Sequence, residues 1–175
     1  MEGYTLEHAD RAPTRRELAP GLFADLPMRV TALDVDGYDV AFELDATSEG
    51  VRPVEVRVRA REGASPVSGG VMRALRIAEL SQGALEYVIH ADGGGVLPGL
   101  PEPELVREAR DVGPTDRVLE QVALSYRVAQ LVGHPTSKYI QARFSDAPKS
   151  TVGNWVRLAR ERGFLEPVEA GRGDG

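Results

Sequence analysis

Apolar and polar residues alternate most strictly along Tyr38-Asp-Val-Ala-Phe-Glu-Leu44, which puts Tyr38, Val40, Phe42 and Leu44 on one face and predicts a half-buried strand. A looser alternation from Met28 to Asp36 precedes it, and Asp36-Gly37 between the two is a hairpin signal. After a turn around Ser48-Glu49-Gly50, Val54 to Ala60 alternates again. Val54, Val56, Val58 and Ala60 are expected inward, with Glu55, Arg57 and Arg59 outward. Then the period changes. Ser68 can cap a helix from Val71 to about Ser81, in which Val71, Met72, Leu75 and Ala78 recur at helical spacing until Gly83 interrupts. Residues 84–90 are compatible with helix or strand. Ahead of all this, Pro13, Pro20, Gly21 and Pro27 predict a mostly irregular start, relieved by one short helix opened by Thr14 and Glu17.

Three helices are expected near the C-terminus. Thr115 or Asp116 caps the first, whose buried stripe is Val118, Val122, Ser125/Tyr126, Ala129 and Val132, and Gly133 with Pro135 ends it. Thr136 caps the second, through Phe144, with Tyr139, Ile140 and Phe144 as its apolar set. The third runs from Lys149 to Arg162, with Val152, Trp155, Val156 and Ala159 facing inward and Gly163 as its stop. Four glycines and three prolines between Asp92 and Pro103 exclude regular structure there. The chain is therefore read as α+β: a partly ordered lead-in (1–27), a small antiparallel sheet with a helix (28–91), a Gly/Pro-rich linker (92–114), an all-α tri-helical domain (115–165) and a flexible tail (166–175).

Composition narrows the chemistry. The absence of cysteine removes disulfides and thiolate metal sites, and His8, His90 and His134 are the only imidazoles, so neither a metal nor a cofactor is expected. No apolar run is long enough for a bilayer, and the N-terminus lacks a signal-peptide pattern, so a cytoplasmic protein with no membrane partner is expected. The net charge of −6 would disfavour an acidic partner, but its distribution is uneven. Residues 1–114 carry −8 and residues 115–165 carry +4. Phosphate contacts are local, so the basic segment can meet DNA while the acidic one faces away.

The second and third helices and their short connection have the layout of a helix-turn-helix, whose later helix enters the major groove. Opposite the third helix's apolar stripe stand Lys149, Ser150, Gly153, Asn154, Arg157 and Arg160 or Glu161. Lys, Ser and Arg suit phosphates, and Asn and Arg can read adenine and guanine edges. Thr151, Lys138 and Arg162 complete the candidate contacts, with Arg162 in the last turn as a phosphate ligand. Trp155 lies in the apolar stripe and is read as core rather than as a base-stacking residue. The turn after Phe144 is one residue longer than the tightest version and has no glycine.

Pro148-Lys-Ser-Thr-Val-Gly-Asn-Trp-Val-Arg-Leu-Ala-Arg-Glu-Arg-Gly-Phe-Leu165, with Tyr126-Arg127, Ala129 and Pro135-Thr136 before it, resembles small helix-turn-helix proteins of actinobacterial chromosomes, phages and mobile elements. The resemblance covers about fifty residues and implies DNA binding. Specificity from one short helix usually needs two copies, so the N-terminal domain is expected to supply a homodimer contact or another protein surface.

Other signals are weaker. Asp34-Val-Asp-Gly37 resembles the first motif of haloacid-dehalogenase-type phosphatases, in which the two aspartates work with magnesium. That motif continues with Thr, whereas here Tyr38 opens an alternating strand, and an Asp-Gly turn accounts for the residues. Gly93-Gly94-Gly95 lacks the ending of a phosphate loop. The expectation is a non-enzymatic, sequence-specific DNA-binding protein acting as a transcription regulator or mobile-element accessory. The alternative is an adaptor whose helical bundle docks a protein.

Overall fold

The computed structural model describes residues 3–48, 50–92 and 100–167. It is a mixed α+β structure that divides into two compact units, Met1–Pro98 with Leu131–Gly133, and Gly99–Gln130 with His134–Gly175. The Gly-rich centre of the expected linker (93–99) and most of the expected tail (168–175) lie outside the described residues, as does Glu49 of the expected turn around Ser48-Glu49-Gly50.

In the first unit, β4 (Met28–Val35) and β5 (Tyr38–Thr47) form the expected hairpin. Asp36 (φ 52°) and Gly37 (φ 86°) are both left-handed, as a two-residue turn matching the strand twist requires. β1 (Gly3–His8) pairs with β4 and β6 (Gly50–Ala60) with β5, giving a four-stranded antiparallel sheet in the order β1-β4-β5-β6. β2 (Thr14–Ala19), β3 (Leu22–Leu26) and β7 (His90–Ala91) make a second, three-stranded antiparallel sheet.

The start of the chain is thus more regular than its prolines suggested. Leu22, Ala24 and Leu26 are buried at period two, and this apolar strand pairs with Thr14–Ala19, which forms β2 and not the short capped helix. Pro20 and Gly21 (φ 75°) serve the turn between them.

The helical part of this unit also differs. Ser68 caps α1 (Gly69–Ala74), its oxygen accepting from the Val71 N–H, but Arg76 then turns left-handed (φ 41°) and α2 (Ile77–Val88) starts afresh. That break resets the buried face. Of the expected stripe only Leu75 is fully buried, and the core side passes to Leu80, Ala84, Leu85 and Val88. Gly83 does not end the helix; a Cβ there would overlap the Tyr4 hydroxyl, so its bare backbone admits β1. α2 packs on β4, β5 and β6. At the sheet edge the cover runs out, and Val54 and Val56, expected inward, are 54% and 37% exposed.

Among the described residues the second unit has four helices where three were expected. α4 (Asp116–Val132), α5 (Thr136–Arg143) and α6 (Lys149–Glu161) fall close to their expected bounds. Thr115 caps α4, its Oγ1 accepting from the Val118 N–H at 3.4 Å, whereas Pro135 and not Thr136 takes the N-cap position of α5. The addition is α3 (Pro103–Asp111), inside the expected linker. Its Leu105 and Ala109 join one apolar core with Val118, Leu119, Val122, Ile140, Phe144, Val152, Trp155 and Ala159. Pro103 stands in its first turn, where a missing N–H costs nothing. Glu108 then holds the α3–α4 corner by accepting from the Thr115 hydroxyl and pairing with Arg117.

A linker leucine could be cut back for less than about 0.5 kcal/mol. Leu105→Ala in the full chain is instead expected to destabilise the helical unit by about 2–5 kcal/mol, the range for a buried leucine. Denaturant unfolding followed through Trp155, the sole tryptophan, reads this unit directly; an unchanged midpoint would remove α3 from the core.

Candidate nucleic-acid interface

The geometry starts from the buried side of α6. Val152, Trp155 and Ala159 are buried, and Trp155 meets Phe144 edge-on with ring centres 5.4 Å apart. A helix turns about 100° per residue, so pinning these three leaves Ser150, Gly153, Asn154, Arg157 and Glu161 on the opposite, exposed side, with Lys149 exposed on the flank at the helix start. Six of the expected positions distribute around this face as anticipated, five exposed and Thr151 half-buried on its flank. Lys138 on α5 is exposed as well.

Two expected contacts are placed elsewhere. Arg160 bends towards α4: its Nη2 donates to the Tyr126 hydroxyl at 3.0 Å and its guanidinium carbon lies 5.2 Å from that ring's centre. Its Nε is buried without a hydrogen-bond partner among the described residues, so Arg160 is a packing residue with a buried stem. Arg162 lies on the far flank of the apolar stripe and pairs with Asp116 at the start of α4.

The exposed face is internally wired. Arg157 Nη2 donates to Asn154 Oδ1 at 2.8 Å, and Arg157 Nη1 pairs with Glu161 one turn on. Asn154 therefore presents its amide N–H groups outward while its oxygen is engaged. Lys138 and Lys149 make no ion pair with any described residue, so their charge is open to an incoming phosphate.

The α5–α6 connection carries residues that sequence reasoning passed over. Without a glycine, the turn bends through two left-handed residues, Ser145 (φ 52°) and Asp146 (φ 56°). Gln141 holds them: its carbonyl accepts from Asp146 N–H at 2.9 Å and its Nε2 donates to the Ala147 carbonyl at 2.9 Å. A polar residue in the last turn of a helix, five before Asp146, was the available signal. Arg127 is a second omission. Nη1 donates to the Phe164 carbonyl at 3.0 Å, closing the C-terminal end of α6 onto α4, and burial lowers its pKa while Glu166 opposes that shift. It stays cationic at neutral pH, since a guanidinium does not lose its proton in proteins.

Charge across the whole unit is flatter than residues 115–165 implied. With α3 included, residues 100–167 hold ten basic and nine acidic side chains, so any attraction for an anion rests on the local face and not on the unit's net charge. Beside the turn lies a cleft of about 290 Å³ lined chiefly by Val106, Ala109, Phe144, Ala147, Pro148 and Trp155.

In the first unit, Asp34 stands at an irregularity of an antiparallel hairpin, its N–H donating to Asp39 Oδ1 at 3.1 Å and its carboxylate 3.4 Å from Arg61. Every strand pairing among the described residues is antiparallel, so the parallel sheet on which the phosphatase motif depends has no counterpart there. No protein-family model matches the chain, and no curated protein or solved structure matches it.

The two arginines of α6 should separate by what they touch. Arg160→Ala is expected to cost about 1 kcal/mol of stability through the lost Tyr126 contact, and Arg157→Ala less than about 0.5 kcal/mol. Thermal melts of both variants check this, and equal losses would mean that Arg160 is not packed as described.

Proposed function

We propose that α5 and α6 form a helix-turn-helix that binds double-stranded DNA sequence-specifically, with α6 in the major groove, and that the protein is a non-enzymatic transcription regulator or mobile-element accessory. The observation that carries this reading is Gly153. It sits in the middle of a thirteen-residue helix on the exposed side, at a cost of about 0.5–1 kcal/mol relative to alanine, and a Cβ there would meet nothing. Packing within the chain therefore does not call for a glycine. Close approach of another molecule's backbone to this helix does. Ser150, Asn154 and Arg157 surround it with groups that suit phosphates and base edges, and Lys149 and Lys138 supply open cations. The resemblance to small actinobacterial and phage helix-turn-helix proteins supports the same reading.

The adaptor reading keeps one specific support, the apolar cleft between α3 and the turn, where a protein side chain could lodge. The two readings respond oppositely to salt. DNA affinity falls steeply as salt rises because counterions are released, while docking in an apolar cleft does not.

Gly153→Ala is the decisive variant. It should raise the melting temperature of the helical unit, by about 0.5–1 kcal/mol in stability, and at the same time weaken binding to sites selected from random duplex DNA. Asn154→Ala should cost roughly 1–3 kcal/mol on the selected site and relax its sequence preference, whereas Lys149→Ala should weaken specific and random DNA alike and lower the salt slope by about one. Salt titrations of all three against selected and scrambled duplexes provide the check. A stabilised Gly153→Ala protein with undiminished DNA affinity would take α6 out of the groove.

A further inference from the structure

We propose that the outer edge of β6 is a self-association surface, on which a second copy of this chain adds its own β6 antiparallel and centred on Val56. The inference concerns the first unit alone and stands independently of DNA binding. β6 is the terminal strand of β1-β4-β5-β6, so its outer row of backbone N–H and C=O groups pairs with no other described strand. Native edges are usually blunted by charge, shortness, proline or a bulge; Pro53 and a bulge at Val54 interrupt this one, but the stretch from Glu55 to Ala60 beyond them is regular and shows apolar Val56.

The sequence Val54-Glu-Val-Arg-Val58 is self-complementary when reversed. In a two-fold antiparallel pairing every contact occurs twice, residue i meeting j and j meeting i. Centring on Val56 sets Glu55 opposite the second copy's Arg57 and Arg57 opposite its Glu55. Val56 faces its own copy, and Val54, the extra residue of a bulge in β6, lies where the regular pairing ends. The faces also agree. Val56 and Val58 pair with Phe42 and Val40 across β5, which places the valines on the apolar side, and Glu55 opposite Glu43 places the charges on the wet side. Within one chain Glu55 sits directly across from Glu43, a like-charge pair offset by Arg29 on Glu43 and by Arg57 on Glu55. A second copy's Arg57 would supply a further cation.

Registers two residues away are worse. Centring on Arg57 places that cation against itself, and centring on Glu55 does the same for the anion, both unfavourable at cross-strand distance. Pro53 and the bulge at Val54 end the regular edge on one side, which confines the pairing to the residues around Val56.

The test uses the full chain without DNA. Sedimentation equilibrium should show a concentration-dependent dimer. Glu55→Arg and Arg57→Glu each turn two attractive pairs into two repulsive ones, and each should weaken dimerisation at least about tenfold. Both side chains are exposed, so the variants should remain folded by circular dichroism. Mixing the two variants restores opposite charges at both positions, so the mixture should form heterodimers near wild-type strength, and the double variant E55R/R57E should dimerise by itself. Amide hydrogen exchange of wild-type protein gives a readout that needs no variant: residues 54–58 should exchange more slowly at high than at low concentration. A wild-type chain that stays monomeric to roughly 100 µM at low salt, or a dimer unaffected by either reversal, would overturn the proposal.

Discussion

The edge-on contact of Trp155 with Phe144, inside a core shared by α3, α4, α5 and α6, is the constraint on which the candidate site depends. An α-helix has one rotational degree of freedom about its axis, and burial of Val152, Trp155 and Ala159 removes it. Each of these side chains contributes on the order of 1.5–3 kcal/mol or somewhat less for alanine, far more than the exposed polar residues contribute by pairing among themselves. The apolar side therefore decides which residues the solvent meets. Ser150, Gly153, Asn154 and Arg157 share a face because they are what remains when the core has taken its share.

The same constraint explains why some of the structure could be read from sequence and some could not. α4, α5 and α6 are legible because each buries a stripe of period 3.6 that local composition displays, and Thr115, Gly133 and Gly163 mark their ends. The β4–β5 hairpin is legible because Asp36-Gly37 carries the left-handed turn between two alternating runs. What escapes notice depends on distant partners. β1 and β2 are mostly exposed, so their residues alternate weakly, and they become strands because Val30 and Leu22 wait across from them. α3 hides in a region of glycine and proline, and only its two inward residues, Leu105 and Ala109, betray it. Gly83 reads as a helix breaker locally and proves to be a clearance for Tyr4, a fact five strands and a helix away from any window that contains it.

Within the site, the positions of the exposed residues are legible and their partners are not. Helical spacing puts Arg157 and Arg160 on adjacent lines, but only the tertiary structure shows one reaching along the surface to Asn154 and Glu161 and the other folding onto Tyr126. The difference matters to the chemistry. An arginine stacked on a ring with its stem buried gives up packing to reach a ligand, whereas an arginine in a surface ion pair gives up about 0–1 kcal/mol, so of the two Arg157 is the one free to change partners.

If α6 binds DNA as proposed, that exchange also bears on selectivity. In the unbound state Glu161 occupies one edge of the Arg157 guanidinium and Asn154 the other, so an approaching anion must compete with a carboxylate already in place. A single phosphate meeting one guanidinium gains little over that carboxylate, since both are exposed, charge-assisted contacts of similar strength. A guanine edge that engages Arg157 in two hydrogen bonds, while the N–H groups of Asn154 find acceptors beside it, replaces both internal contacts at once. On the proposed reading, the wiring of α6 would discount random phosphate contact at Arg157 and reward a ligand matching Arg157 and Asn154 together, while Lys149 and Lys138, which make no ion pair with any described residue, would hold a duplex regardless of sequence.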